Sequence, residues 1–188
     1  MHRYPCCGLI HSVSNAIEII RRDSAMTSAD VKRIVVHTSK RAVEHNGDPD
    51  PQETMAAQYS IPYCVGAAVV KNPRDPAAFD TRALADAEIR RVSRLTQLRI
   101  DEKLDALYPA HFAARVAVEL KDQRRFGSTV IDPHGTAANA CDAAEIEAKF
   151  RLLAQPVADG GRIERVIGAV SDLRGSSTIA ALSAALNV

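Results

Sequence analysis

The chain has 188 residues, of which 46% are hydrophobic and 25% are charged, the balance of an ordinary globular protein. Its formal net charge is +1 and its aromatic content 4%, so neither a broad basic field nor a base-stacking surface for nucleic acid is expected. No apolar run is long enough for a membrane span, and residues 1–12 lack the apolar stretch of a signal peptide. The four cysteines are too few for a disulfide framework, which favours a reducing cytoplasm.

Helical spacing begins after Gly8, and apolar residues recur every three or four positions as far as Ile20. The opposite side of this predicted helix carries a polar line of His11, Asn15, Glu18 and Arg22. Ser28 is placed to cap a single turn, and the β-branched run 33–38 predicts a strand. A helical stretch follows over residues 52–70; it restarts at Pro62, with Ser60 as the cap.

A further helical stretch covers residues 81–95, and a short alternating strand follows over 96–101. The clearest alternation is over 115–121, which predicts a strand with one buried and one solvated face, typical of an antiparallel sheet. Asp122 and Gln123 form a short turn, and residues 125–131 return as the hairpin partner.

Only helices are predicted after the loop 132–140, and Asp142 with Glu145 resembles a capping box that opens the first of them. Ile146, Phe150 and Leu153 of the first of these helices are expected to face inward. The next two helices carry further apolar residues, of which Ile163, Val166, Ile167, Ile179 and Leu182 are candidates for an open face that drives association. We therefore predict an α+β fold: an antiparallel sheet of about four strands packed with helices over residues 1–135, then a C-terminal helical segment over 136–188.

The stretch "HRYPCCGLIHS", residues 2–12, raises the question of a metal site formed by His2, Cys6, Cys7 and His11. Adjacent cysteines do not easily reach one zinc ion together, and there is no Cys-x-x-Cys pair, so packing at a helix start is the preferred interpretation of the cysteines. The polar line at His11 is either a solvated face or a proton-transfer site. No P-loop, Gly-x-Gly-x-x-Gly or Gly-x-Ser-x-Gly motif is present.

Several segments, in order, resemble the MmgE/PrpD family. "RYPCCGLIHSVSNAI" resembles its "K-x-[YF]-P … H-x-x-x-D-A" segment, and "SADVKRIVV" its acidic turn and strand. "AAQYSIPYCVGAAVV" resembles its "S-x-x-Y" helix, "VAVELKDQRRF" its hairpin, and "AEIEAKFRLLA" its "E-[LI]-x-x-K-F" helix. The resemblance implies a lid domain over 1–135 followed by returning C-terminal helices, with the large N-terminal helical domain of the family absent.

The family resemblance also implies chemistry on small di- and tricarboxylates without a metal or other cofactor, at a site between the two domains. His2 falls on the motif Lys, His11 on the motif His, Asn15 on the motif Asp, and Tyr63 on the Tyr of the "S-x-x-Y" helix. The implied catalytic residues are Tyr63, His11 and His2. The implied substrate-binding residues are His2, Cys7, Asn15 and Tyr63.

This sequence departs from the family pattern at several positions. His2 replaces a permanent cation, and Asn15 replaces an orienting charge. Gln123 stands where the family has a turn Gly, and Ala140 where a Pro is usual.

Two functions follow as hypotheses. The first is the C-terminal part of a 2-methylcitrate dehydratase-like lyase, incomplete by itself, whose partners are a small carboxylate substrate and either a second copy or a separate helical domain. The second is a non-catalytic remnant that keeps the lid fold and associates through the apolar tail helices. Neither hypothesis involves nucleic acid or a membrane.

Overall fold

The computed structural model of the chain describes residues 2–176 and 178–187. The chain divides into two compact units, Met1–Cys141 and Asp142–Val188. The sequence-based prediction had placed its division after residue 135.

The first unit contains a four-stranded sheet in the order β2-β1-β3-β4. Its strands are β1 (Val31–Thr38), β2 (Thr96–Ile100), β3 (Ala114–Leu120) and β4 (Arg125–Val130). The α+β class and the number of strands are confirmed. The prediction of a purely antiparallel sheet is wrong for one pair, because β1 pairs with β2 in parallel and with β3 antiparallel, as β3 does with β4. Parallel neighbours need a long crossover, which the helices between β1 and β2 supply.

Helices pack on one face of this sheet and also make up the second unit. Within the described residues they are α1 (His11–Ser24), α2 (Lys40–His45), α3 (Thr54–Gln58), α4 (Ile61–Val70), α5 (Thr81–Leu84), α6 (Ala87–Arg94), α7 (Glu102–Asp105), α8 (Ala143–Ala154), α9 (Gly160–Ser171) and α10 (Ala180–Leu186). Each of these helices is too short or too polar to span a bilayer.

The predicted helix restart near Pro62 is confirmed. The Ser60 hydroxyl accepts a hydrogen bond from the Tyr63 amide at 3.0 Å and so caps α4. The predicted cap at Ser28 is wrong, because Thr27 caps that turn. The Thr27 amide donates to the Asp30 carboxylate at 2.8 Å, and the Thr27 side chain accepts from the Asp30 amide. Both amides at the start of the turn therefore have a partner.

The core of the first unit lies between one face of the sheet and the helices α1, α4 and α6. Val13 and Ile17 of α1 are fully buried, as are the inward-facing residues of β3. Helices α4 and α6 approach closely at Gly66, where an added Cβ would lie 2.5 Å from the Ile89 carbonyl oxygen. Only a residue without a side chain fits this crossing, which holds α4 against α6.

In the second unit, the capping box of Asp142 and Glu145 is confirmed at the start of α8. Ile163 and Val166 of α9, two of the candidates for an open association face, are buried. Ile146, Phe150 and Leu153 of α8, which the sequence predicts to face inward, remain 36–50% exposed, and Val170, Ile179 and Leu186 are exposed as well. Helix α9 packs more closely against α10 than against α8, which leaves the apolar face of α8 open.

Candidate functional site

Polar side chains gather at the beginning of α1. His11 is the first residue of that helix and is only 6% exposed, while His2 is exposed. The two imidazole rings meet edge to face with centroids 4.8 Å apart, and the Tyr4 ring meets His11 in the same way at 5.4 Å. The structure therefore brings the two predicted histidines, His2 and His11, into direct contact.

The residues between these histidines form a bend that leads into the helix. The Cys7 amide donates to the Gln58 carbonyl at 2.9 Å, which ties the bend to the end of α3. The His11 Nε2 donates to the Cys6 carbonyl at 3.3 Å, so the bend also fixes the orientation of the imidazole. Cys7, a predicted substrate-binding residue, is half-buried in this bend.

Glu18, a carboxylate of the predicted polar line, holds Tyr4 in place beside the histidines. The Tyr4 hydroxyl donates to Glu18 Oε2 at 2.5 Å, and Arg74 donates to both oxygens of Glu18 at 2.8 and 3.2 Å. Burial, followed by the neighbouring Glu18 charge, raises the pKa of Tyr4, so the hydroxyl stays protonated and remains a donor. This chain of contacts holds the Tyr4 ring against His11.

The thiol of Cys6 in the bend interacts with the thiol of Cys64 in α4. Hydrogen bonding with the neighbouring Cys64 thiol lowers the pKa of Cys6, and His11 contributes in the same direction, against the opposing effect of burial. Burial raises the pKa of the Cys64 thiol, whose sulfur lies 3.5 Å from the Ala57 carbonyl oxygen. Both thiols are free. Within the described residues, no three His, Cys, Asp or Glu side chains of the stretch 2–12 come close enough to share one metal ion.

The loops that flank β3 and β4 border the same end of α1. The Asn15 side-chain oxygen accepts from the His134 amide at 3.0 Å, and the Ser12 hydroxyl donates to the Phe112 carbonyl. His111 Nδ1 donates to Asp132 at 2.8 Å, and both side chains are partly exposed. Asn15 therefore positions a loop, and its oxygen is engaged in doing so.

Sequence reasoning missed His111, Asp132 and His134 as members of this neighbourhood. They lie in loops without periodicity, and tertiary contacts with α1 bring them there. The only local signal was the "DPHG" sequence of the loop 132–135, a polar and Gly-containing segment that directly follows a predicted strand.

Tyr63 lies apart from the two histidines. Its side chain is fully buried, its ring contacts Phe79 at a centroid distance of 5.7 Å, and its hydroxyl donates to the Ala78 carbonyl at 3.1 Å. Burial raises the pKa of Tyr63 to about 12. The structure thus brings together His2, His11, Cys7 and Asn15 around the start of α1, and places Tyr63 in the core.

The chemical capacity of this cluster follows from its donor types. An imidazole whose orientation is fixed can accept or deliver a proton near neutral pH. Two neighbouring imidazoles can also carry positive charge toward an anionic ligand, and His2 is accessible to solvent. The arrangement suits proton transfer next to a carboxylate.

Residues 4–173 match the model of the MmgE/PrpD C-terminal domain, so the chain belongs to the MmgE/PrpD family. The chain is 26% identical to cis-aconitate decarboxylase of Aspergillus terreus over an alignment that covers 98% of this chain and 39% of that protein. It is 27% identical, with the same coverage, to the cis-aconitate decarboxylase-like protein oryM of Aspergillus oryzae. The chain therefore spans 39% of the length of these curated relatives, and corresponds to the C-terminal domain of the family.

Proposed function

We propose that the chain is the C-terminal part of a lyase acting on small di- or tricarboxylates, either cis-aconitate or 2-methylcitrate. The observation that carries this proposal is the contact between His2 and His11 at the start of α1. Membership of a family whose curated relatives are named cis-aconitate decarboxylases supports the substrate class. The free thiols support a reducing compartment such as the cytoplasm.

In the proposed dehydration, His11 removes a proton from the carbon next to a substrate carboxylate, and the hydroxyl on the adjacent carbon takes up a proton and leaves as water. In the alternative decarboxylation, carbon dioxide leaves and His11 delivers a proton to the carbon that carried it. In either reaction, His2 in its protonated form neutralises part of the substrate charge. Cys7 and Asn15 border the substrate on either side of this pair. Tyr63 remains a proposed hydrogen-bond or proton donor. To act in that way, its hydroxyl must leave the Ala78 carbonyl that it binds in this structure.

The chain spans 39% of the length of its relatives, so we propose that a second domain must complete the substrate site. We therefore expect turnover when the chain is co-expressed with a helical partner, such as one encoded immediately upstream, and little or none from the chain alone. The assay follows cis-aconitate and 2-methylcitrate in parallel by product analysis. Absence of turnover with both substrates and a folded, associated partner would contradict the proposal.

The second candidate function is association without catalysis, with a second copy of this chain as the occupant. It is favoured by one observation: α8 and α9 enclose an open apolar groove of about 310 Å³ that includes Ile146, Phe150 and Val170. Apolar surface of this kind commonly marks an interface between copies. Light scattering over a concentration series tests it, because a monomer at every concentration would exclude a homo-oligomer formed through this groove.

A further inference from the structure

The face of the sheet that does not pack on the helices carries a concentration of positive charge. Side chains alternate between faces along each strand, so the residues paired across the strands on this face are neighbours. Arg33 of β1 lies opposite Glu119 of β3, and Glu119 lies opposite Arg125 of β4. One carboxylate thus stands between two arginines in the same row.

This row forms one side of an open hollow of about 420 Å³. The residues that line it are Lys32, Arg33, Arg94, Leu95, Gln97, Glu119 and Arg125. Four cations and one carboxylate give the lining a formal charge of +3, whereas the whole chain carries +1. The volume lies within the usual range of small-molecule sites.

Glu119 organises two of the four cations without neutralising the group. It accepts from Lys32 at 2.8 Å and from Arg33 at 2.9 Å, and its side chain is only 12% exposed. These hydrogen bonds lower the pKa of Glu119, so its carboxylate remains charged. The paired cations are held in place while half of each side chain stays open to solvent.

The other two cations are available for a ligand. Arg125 lies 3.8 Å from Glu119 with 77% of its side chain exposed, a distance too long for a strong hydrogen bond. Arg94 stands at the end of α6 and makes no ion pair within the part of the chain that the structure describes. Guanidinium groups bind phosphate and carboxylate oxygens in a bidentate manner, so Arg94 and the loosely paired Arg125, which line one hollow, suit an anion with several such groups.

We propose that this hollow binds a compact anion with a charge near −3, carrying phosphate or carboxylate groups. Arg94 and Arg125 bind the anionic groups of the ligand directly. Lys32 and Arg33, which Glu119 orients, contribute further positive charge to the hollow. Among the described residues, no aromatic side chain lines the hollow, and this disfavours a single-stranded nucleic acid, whose bases need stacking partners.

The hollow is separate from the cluster at the start of α1. It lies at the Glu119 end of β3 and on the open face, whereas α1 packs on the opposite face and the His111 loop precedes the other end of β3. The strand length between the two ends corresponds to about 17 Å at the usual rise per residue. A ligand in the hollow therefore does not compete with a substrate near His11, and the proposal does not depend on the proposed activity.

Isothermal titration calorimetry at low ionic strength tests the proposal, with inorganic pyrophosphate and tricarballylate as separate probes. We expect saturable binding of at least one probe to one site, weakened by added salt. Binding of pyrophosphate alone identifies a phosphate ligand, binding of tricarballylate alone a polycarboxylate, and binding of both a general trianion site. Binding of neither probe would overturn the proposal.

Variants separate this hollow from the general charge of the protein. We expect Arg94→Ala combined with Arg125→Ala to weaken binding at least about tenfold, because two charge-assisted contacts are lost. The matched control, Arg41→Ala with Arg82→Ala, removes the same charge from exposed positions of the same unit and should change affinity less than about twofold.

Glu119→Gln removes the internal competitor and should tighten binding severalfold, with circular dichroism confirming the fold. Equal loss in the arginine double variant and in its control would overturn the proposal. So would a single-stranded RNA oligonucleotide that binds more tightly than both probes and is not displaced by them. If Glu119→Gln does not fold, the comparison of the two arginine double variants decides the outcome, because all four positions lie on the surface.

Discussion

His2 and His11 meet edge to face, with ring centroids 4.8 Å apart, at the point where the bend after Pro5 becomes α1. The Cys7 amide ties the bend to Gln58 of α3, and the Tyr4 ring packs edge to face against His11. Because these contacts orient the imidazole of His11 before any substrate arrives, this residue is the first to test.

Replacement of His11 by Gln should reduce turnover of the assembled, partner-bound protein by about 100-fold or more, the usual contribution of a proton-transfer residue. The amide keeps a hydrogen-bonding group but cannot exchange a proton. His45→Gln, at an exposed position in the last turn of α2, is the matched control and should leave turnover unchanged. Equal turnover of the His11 variant and wild type, at equal partner association, would remove His11 from the reaction.

The hydrogen bond from Tyr4 to Glu18 should contribute measurably to folding. Tyr4→Phe removes a buried donor to a carboxylate and should lower the free energy of unfolding by about 1.5 kcal/mol, the lower end of the range for charged partners, because Arg74 still pairs with Glu18. The control is Tyr59→Phe, since Tyr59 is 53% exposed. Urea denaturation followed by circular dichroism measures both; equal effects of the two variants would contradict the role of the buried bond.

The same residue predicts a dependence of stability on pH. The pKa of Tyr4 is raised in the folded protein, so its stabilising contribution is complete below the ordinary value of 10.0 and is lost as pH rises above it. Unfolding curves measured between pH 8 and roughly 11 should therefore show a decline in wild type that is smaller in Tyr4→Phe. Identical declines would show that other groups cause it.

Cys6 should be the most readily alkylated thiol of the stretch 2–12 at slightly acidic pH. Its lowered pKa predicts that the rate of iodoacetamide labelling rises at a lower pH than that of an ordinary thiol, which reacts only as pH approaches about 8.5. Cys64→Ala removes the hydrogen bond that contributes most to this shift and should move the midpoint upward. Mass spectrometry of the labelled peptides provides the measurement, and a wild-type midpoint near 8.5 would contradict the prediction.

Much of the local structure could be predicted because its causes lie within a few residues. The cap at Ser60, the capping box of Asp142 and the alternation along β3 each depend on neighbours in the sequence. The parallel pairing of β1 with β2 could not be predicted in this way. Alternation shows that a strand has a buried face, but it carries no information about which strand lies beside it or in which direction.

The same distinction between local and long-range contacts applies to the candidate site. The polar line that contains His11, Asn15 and Glu18 follows from helical spacing alone. The His134 amide on Asn15 and the contact of Arg74 with Glu18 join positions far apart in the chain, through loops that have no periodic pattern. Tyr63 shows the opposite case: its position in the "S-x-x-Y" motif suggested a ligand contact, but its hydroxyl is engaged with Ala78 in this structure.

The crossing of α4 and α6 should tolerate no side chain at Gly66. Gly66→Ala should lower the free energy of unfolding by about 1–3 kcal/mol, because the new Cβ would approach a backbone oxygen that cannot move without displacing α6. Gly168→Ala in α9 is the matched control: nothing lies within 4 Å of its Cβ position, and the better helix propensity should stabilise by roughly 0.5–1 kcal/mol. Opposite signs in thermal denaturation are the expected result, and a stabilised Gly66→Ala variant would contradict the close crossing.

The hairpin between β3 and β4 is strained at Gln123, which has a φ of 72°. The Gln123 amide donates to the Leu120 carbonyl at 3.0 Å, and Leu120 in turn donates to Arg124 at 2.9 Å, so the loop holds this residue in the left-handed region. A side chain is unfavourable in this conformation, whereas Gly adopts it readily. Gln123→Gly should therefore raise the free energy of unfolding by about 0.5–1 kcal/mol. Gln123→Ala keeps a Cβ and serves as the control; it should give no gain in urea denaturation, and an equal gain from both variants would show that the backbone conformation is not the cause.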